Sequence, residues 1–389
     1  MPKRENISQL NSWVEISESN YAHNINFFRK LVGTKVELAA VVKANAYGHG
    51  WREIAKLAAR HGVDSFCVHS LEEALRLREQ GFTQDILVMG HVPLNRLKIA
   101  IANRLRLVLY NRETLAEVEN IVKESEIPAL FHLKIDTGTN RQGIDAGDLY
   151  YFLERFRQST GLVLDGIYTH FANIEDTTNH DFARQQIQKF KEVIAQVNAA
   201  GFPAPKIHTA CSAAILLFPE TYFDMVRLGI SQYGLWPSRE TLVSYQARHS
   251  VAGKAILRPT LTWKCRISQL RTVPAHQTVG YGRTYQTTRK SLLAILPVGY
   301  SDGYDRRLSN QSYVLVRGRR APVRGRICMN LMMVDVTDIP DVRLEEEAVL
   351  LGKQGAEEIS AEQLAAMIGT INYEIVTRIN PEIPRIIVP

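Results

Sequence analysis

Between about residues 37 and 234 the chain alternates between two textures. Short, nearly continuous apolar runs read as strands buried on both faces: "ELAAVVKA", "SFCVHS", "DILVMG", "RLVLYN", "ALFHLKID", "LDGIYTHF", "KIHTA" and "MVRLGIS". Between most of them lie amphipathic helical patterns. "WREIAKLAARHG" closes at Gly62, and "LEEALRLREQG" opens after Ser70, a residue suited to an N-cap, and stops at Gly81. "PLNRLKIAIANR" begins at Pro93, a residue suited to a first helical turn. "ETLAEVENIVKES", "GDLYYFLERFRQ" and "ARQQIQKFKEVIAQVNAAG" complete the set. Strands that alternate with helices in this way predict a parallel sheet covered by helices. Eight strands in sequence predict an α/β fold built on an eight-stranded (β/α) TIM-like barrel, with an open doubly wound sheet as the rival. The glycine fingerprint of a dinucleotide-binding sheet is absent after the first strand.

After about residue 250 the texture changes. "LTWKCRISQLRTV", "SLLAILPVGY", "SYVLVRGRRAPVRGRI", "LMMVDVTDI" and "EAVLLG" are strand-like and divided by Gly, Pro, Asn and Asp. No comparable helical pattern intervenes before "SAEQLAAMIG". A β/α barrel over 13–250 and a mostly-β C-terminal domain over 251–389 are expected, and "WVEIS" near the start can lend the latter a strand.

Composition narrows this little. The 389 residues leave room for a sizeable core, and the formal net charge of +7 is spread along the chain rather than massed in a basic, aromatic-interleaved block. Nucleic acid is therefore not an expected partner. No apolar stretch is long enough to span a membrane. The N-terminus lacks the apolar run of a secretion signal, and the four cysteines form no C-x-x-C pair. A cytoplasmic protein is the expectation.

Chemistry enters at the strand ends, where barrels of this kind gather their functional side chains. Lys43 in "VVKANAYGHG" ends the first long strand, where loss of solvation would lower its pKa and suit it to nucleophilic or Schiff-base work. A lysine that merely snorkels out of the mouth would look the same. The fifth strand presents Lys134, Asp136 and Arg141, the sixth His170, the seventh His208 and Ser212, and the eighth Arg227, Gly229 and Ile230. Taken singly, each has a structural explanation. Together they line one mouth with cationic and hydrogen-bonding groups suited to an anion, and the last two loops are the usual phosphate cradle. A Schiff-base lysine beside a phosphate site makes pyridoxal 5'-phosphate the leading cofactor.

The motif "AVVKANAYGHG" resembles the cofactor-lysine signature of bacterial alanine racemases. The resemblance continues through "WVEIS", "LKIDTGTNRQG", "DGIYTHFA", "HTACSAA", "VRLGISQYG", "VGYGRTY", "PVGYSDGYDRRL", "GRICMN" and "INYEIVTRIN", in the family's order and along nearly the whole chain. It implies interconversion of L- and D-alanine by two-base proton transfer on a pyridoxal phosphate Schiff base, supplying D-alanine for peptidoglycan. Lys43 would carry the cofactor and serve one face of the substrate, and Tyr281 would serve the other. Arg141 and the backbone of Met329 would bind the substrate, the latter through its carboxylate. Tyr47, Ser212, Gly229, Ile230 and Tyr373 would hold the phosphate, Arg227 would face the ring nitrogen, and His170 would lie near the ring. Lys134 matches a lysine often carbamylated in the family, and Tyr300, Arg306, Arg326 and Asn330 would line the substrate corridor. The family's homodimer builds each site from two chains.

Three departures bear on selectivity. Asn330 and Leu331 stand where the family usually has Asp and Gln, Cys211 replaces an Asn before Ser212, and "TGTNR" replaces a commoner Met-containing form. A broader amino-acid racemase that also acts on serine is the nearest alternative. A pyridoxal decarboxylase would carry an acidic residue in place of Arg227, and a non-catalytic pyridoxal phosphate carrier would lack the C-terminal domain.

Overall fold

The computed structural model describes residues 7–124, 127–175, 177–202, 205–250 and 256–389. The boundary expected at 250/251 meets residues 251–255, which lie outside the described residues. Two compact units emerge. The described residues of Met1–Tyr21, Asn45–Ile54 and Pro259–Pro389 form one, and those of Ala22–Ala44 and Ala55–Arg258 form the other.

The second unit is a closed eight-stranded parallel barrel. Counting Ser12–Ser17 as β1, its strands are β2 (Glu37–Val41), β3 (Ser65–Val68), β4 (Asp85–Val88), β5 (Arg106–Leu109), β6 (Ala129–Lys134), β7 (Leu162–Tyr168), β8 (Lys206–His208) and β9 (Met225–Leu228). Each expected apolar run supplies one strand, and β2 pairs with β9 to close the ring. The runs are continuous because these strands are covered on both sides, by barrel interior and by helices: all four residues of β3 and of β9 are buried. The helices begin where capping chemistry allows. Ser70 accepts from Glu73 N–H while the Glu73 carboxylate accepts from Ser70 N–H, a reciprocal cap that starts Leu71–Glu79. Asn111 caps Arg112–Lys123 in the same manner from one side. Gly62 and Gly81, both at φ +83°, turn the chain out of the helices they follow. Pro93 precedes a 3-10 turn, Leu94–Arg96, and the α-helix proper starts only at Leu97.

The first unit is mostly β. Its larger sheet runs in the order Arg319–Pro322, Tyr313–Val316, Glu347–Gln354, β10 (Leu261–Arg266), β1 and Arg385–Val388, with Glu357–Ile359 pairing onto Glu347–Gln354. The "WVEIS" strand β1 is antiparallel to β10, with Trp13 opposite Lys264, and parallel to Arg385–Val388. A second sheet joins Gln269–Val273, Ser291–Leu296 and Met332–Asp335, all antiparallel. A short hairpin, Thr278–Val279 with Tyr285–Gln286, is held to this sheet by an apolar cluster of Val273, Val279 and Leu293, against which Tyr285, Ile295 and Met333 pack.

Candidate active site

The chain leaves β2 through a helical turn, Lys43–Tyr47, that is left-handed: Ala44, Asn45, Ala46 and Tyr47 all have φ between 51° and 54°. Left-handed backbone costs a non-glycine residue roughly 1–2 kcal/mol, so four in succession need anchors. In the barrel unit, Val42 N–H donates to Cys67 O at 2.9 Å and Ala44 N–H donates to Glu73 Oε1 at 2.6 Å. In the β unit, Asn45 Oδ1 accepts from Trp51 N–H at 3.0 Å. Glu73 therefore does two jobs, capping a helix and fixing the residue next to Lys43. Its place in a capping pattern gave the sequence no sign of the second.

Lys43 is half-buried. Burial first, then the charges of Arg141 and Arg227, pull its pKa below the ordinary lysine value, with Glu73 and Cys67 opposing. Lys134, at the end of β6, is buried, and its Nζ donates to Gln142 Oε1 at 2.7 Å. Its pKa falls to about 8, again through burial first and then Arg141 and Arg227. Gln142 is a second partner that the sequence did not single out. Arg141 lies on an exposed loop organised by Asp136, whose carboxylate accepts from the N–H groups of Gly138 at 2.7 Å, Thr139 at 2.8 Å and Arg141 at 3.2 Å.

Across the barrel, Arg227 is buried. It donates to His208 Nδ1 and to the carbonyls of Thr169 (3.0 Å) and Thr209 (2.9 Å), and it lies 3.3 Å from His170 Nδ1. Burial and Arg227 hold His170 well below the imidazole range. Ser212 Oγ accepts from Gly229 N–H at 3.0 Å and from Ser231 N–H at 3.3 Å, which leaves the Ser212 hydroxyl proton free to donate outward. Ile230 opens the 3-10 turn Ile230–Tyr233, so its N–H has no partner within that turn. The buried Tyr168 hydroxyl also lacks a partner among the described residues. The barrel unit thus brings together Lys43, Lys134, His170, Ser212, Arg227, Gly229 and Ile230, with Arg141 on its loop.

The β unit carries the remaining candidates, in separate groups. Tyr281 begins the 3-10 turn Tyr281–Arg283 at the hairpin tip and is 72 % exposed. Gly280 (φ +72°) and Gly282 (φ +69°) permit that turn. A Cβ on Gly282 would lie 2.8 Å from Arg326 Nη1, so the Arg326 guanidinium packs directly on the Tyr281 turn. Met329 is 56 % exposed. Its carbonyl accepts from Ser301 N–H at 3.0 Å and Ser301 Oγ at 2.8 Å, while its own N–H donates to no acceptor among the described residues. Asn330 Nδ2 donates to Ser301 Oγ at 2.7 Å, and Tyr300 N–H to Cys328 O at 3.0 Å. Gly299 makes this approach possible, since a Cβ there would sit 2.2 Å from Cys328 O. Arg306 is exposed at the start of the turn Arg306–Leu308. Tyr47 and Tyr373 lie together, ring centroids 6.0 Å apart.

The donor set suits an anionic, aldehyde-bearing phosphate ester: a partly desolvated amine, outward-facing hydroxyl and N–H donors at the Ser212 and Ile230 turns, and a buried guanidinium. Pyridoxal phosphate fits that description.

Comparison with known proteins agrees with this chemistry. The family model described as alanine racemase, N-terminal domain, matches residues 16–237, and the alanine racemase C-terminal domain matches residues 260–387. The alanine racemase of Halothermothrix orenii is 40 % identical over 374 residues, covering 96 % of each chain, and that of Carboxydothermus hydrogenoformans is 40 % identical over 376 residues, covering 97 % of this chain and 99 % of its own. Among solved structures, alanine racemase from Bacillus anthracis with bound L-Ala-P superposes with a TM-score of 0.89 at 34 % identity, covering 97 % of this chain and 95 % of that one. The Streptomyces coelicolor enzyme gives 0.90 at 32 %, covering 99 % and 100 %. With two family models spanning both halves and relatives matched end to end, the chain belongs to the alanine racemase family of amino-acid racemases.

Proposed function

We propose that this protein interconverts L- and D-alanine, with pyridoxal 5'-phosphate held by Lys43, and so supplies D-alanine for peptidoglycan in the cytoplasm. Pyridoxal phosphate, when bound, supplies an aldehyde that condenses with amines and an electron sink that acidifies the amino acid's Cα–H. The observation that carries the reading is the Lys43 amine, half-buried at the end of the first barrel strand, with its pKa lowered by burial and by Arg141 and Arg227. A lowered pKa leaves more of the amine unprotonated near neutrality, as both a nucleophile and a base require.

Racemisation removes a proton from one face of Cα and returns one to the other, and one base cannot easily serve both. Lys43 serves the D-enantiomer and Tyr281 the L-enantiomer. The Met329 N–H, which has no protein acceptor among the described residues, is free to receive the substrate carboxylate. Arg141 holds the substrate from its Asp136-organised loop. The Ser212 hydroxyl and the turn at Gly229 and Ile230 would hold the phosphate, with Tyr47 and Tyr373 adding hydroxyl groups, and His170 would lie beside the ring. Arg227 would face the ring nitrogen. Being permanently cationic and a donor only, it would leave that nitrogen unprotonated, which would weaken the electron sink and favour proton return over transamination. Tyr300, Arg306, Arg326 and Asn330 line the approach. Lys134, with its pKa near 8, has the neutral amine that carbamylation needs.

Tyr281 and Met329 are strongly exposed, and Tyr300 (41 %) and Leu331 (44 %) beside them add apolar surface. Such a patch calls for a covering partner, and a homodimer in which each chain delivers Tyr281 and Met329 to the other's barrel meets that demand. Among the described residues, no helix is long and apolar enough to cross a membrane. Serine gains no support from the relatives reported above, all of which are named for alanine. The test is racemisation of L-alanine and L-serine in parallel, with and without pyridoxal phosphate, alongside Lys43→Ala. Turnover of alanine that depends on the cofactor and on Lys43 is expected, and no turnover of either amino acid by loaded protein rejects the proposal.

A further inference from the structure

Barrel interiors of this kind are normally filled by layers of branched aliphatic side chains. Here a column of polar groups runs through the core instead. Arg227 makes no ion pair among the described residues, and its Nη1 donates to His208 Nδ1. His208 Nε2 lies 2.7 Å from His132 Nδ1, His132 Nε2 lies 3.1 Å from Asp165 Oδ2, and the same carboxylate oxygen accepts from Arg106 Nε at 2.7 Å. Arg106 also pairs with Asp85. Both are the first residues of their strands, so the column reaches from the mouth toward the opposite end of the barrel. The fold makes room for it. Gly166 stands opposite His132 in register, at a bulge between Phe131 and His132, and a Cβ on Gly166 would lie 2.6 Å from His132 Nδ1. The Tyr168 ring stacks on His208 at 4.6 Å and 7°.

The two ends of the column fix every proton in it. An arginine only donates and a carboxylate only accepts. His208 Nδ1 must therefore accept, so the His208 proton sits on Nε2 and is donated to His132 Nδ1. The His132 proton in turn sits on Nε2 and faces Asp165. A further proton on either ring would set donor against donor. Burial, together with Arg227 and Lys206 at His208, and with Lys206 and Arg106 at His132, also holds both rings below the imidazole range despite the opposing pull of Asp165 on His132. Burial disfavours the Asp165 charge, but His132 and Arg106 outweigh it and hold the carboxyl at about 2.

We infer that Asp165 and His132 are positioning residues for Arg227: the carboxylate, acting through two imidazoles of fixed tautomer, is the counter-charge that keeps a buried guanidinium aimed at its ligand. The inference rests on the function proposed above only in taking that ligand to be the pyridoxal ring. A buried cation without such compensation would be costly, and Gly166 is the residue that lets the column pass.

The test uses the cofactor-loaded protein, with 15N spectra of the histidine ring nitrogens recorded from pH 6 to 9. In the wild type, His132 and His208 are expected to show neutral Nε2–H tautomers that do not titrate. Titration of either ring in that range, or an Nδ1–H tautomer, overturns the inference without any variant. In Asp165→Asn the shape is kept and the charge lost, and an amide N–H can oppose His132. Mixed tautomers, a shifted absorption band of the bound cofactor, and kcat lowered by about 10-fold with KM nearly unchanged are expected, in the range that losing an outer-shell hydrogen-bond partner costs. Asp165→Glu should recover part of the loss. Unchanged tautomers, absorption and kcat in Asp165→Asn contradict the inference. If Asp165→Asn does not fold, His132→Gln takes its place under the same criteria. Absence of racemisation in wild type would reject the proposed function, while the ring spectra would still decide the column.

Discussion

The barrel mouth and the Tyr281 hairpin face carry the two halves of one proposed chemistry in opposite states. At the mouth, Lys134, Arg227 and Ser212 are buried and hydrogen-bonded, and Lys43 is partly withdrawn from water. On the β unit, Tyr281, Met329, Tyr300 and Leu331 are held by glycine turns and a small apolar cluster, yet remain open to solvent. The mouth can shift a pKa by itself because it supplies desolvation and neighbouring charge. The hairpin face supplies geometry alone and needs another surface to exclude water. In the dimer proposed above, the barrel is the prepared half and the hairpin the half to be delivered.

The largest effect should come from the prepared half. Lys43→Ala removes the amine proposed to bind the cofactor and move protons, and racemisation should fall by at least about a thousandfold, with loss of the absorbance of bound pyridoxal phosphate. Retained activity would mean that the barrel mouth is not the prepared half. Tyr281→Phe should slow racemisation in both directions by on the order of 100- to 10,000-fold, while exchange of Cα–H with solvent is lost on one face only: deuterium should still enter Cα from D-alanine much faster than from L-alanine. Equal losses of Cα–H exchange from both enantiomers would mean that Tyr281 is not a face-specific base. Mixing Lys43→Ala with Tyr281→Phe chains under subunit exchange sharpens the point, since a heterodimer then holds one intact site and should regain part of the activity, whereas verified heterodimers without activity would deny delivery between chains. Arg227→Glu should raise transamination relative to racemisation, a ratio measurable from pyruvate formed per D-alanine.

The smallest effect concerns stability. The Lys134 pKa is lowered in the folded state to about 8, so between about pH 8 and the ordinary lysine value the unfolded chain binds more protons than the folded one. Unfolding free energy should therefore rise with pH across that window, by about 1–3 kcal/mol from Lys134, and the rise should be smaller in Lys134→Met, which keeps the same-sign contribution of Lys43. Denaturant titrations at pH 7.5 and 10 compare the two, and an unchanged slope in Lys134→Met would place the source elsewhere.

The barrel was legible in the sequence because most of its strands are apolar nearly throughout and separated by helix or glycine punctuation, the short β8 (Lys206–His208) being the exception. The helix Arg239–His249 was less so: "RETLVSYQARH" mixes polar and apolar positions, with Thr241 and Tyr245 its buried residues. Asn372–Thr377, a single short helix holding Tyr373 at its second position, has too few residues for a periodicity to show. Lys43 was legible as a strand-end lysine, but the left-handed turn after it was not, since Ala44–Tyr47 contains no glycine to announce it. Contacts that depend on strand register left no local sign. His132 meets Asp165 only because β6 and β7 pair, and Gly166 looks like any strand glycine until the His132 ring is seen against it. Tyr281 gained its candidate role from family resemblance, because an exposed hairpin tyrosine carries no signal of its own.

The most direct measurement is to incubate the purified, pyridoxal-phosphate-loaded protein with L-alanine in D2O and follow the product by chiral chromatography and mass spectrometry. D-alanine carrying deuterium at Cα is expected, formed by the wild type and not by Lys43→Ala. L-alanine recovered without D-alanine and without deuterium at Cα, from protein shown to be folded and loaded, would contradict it.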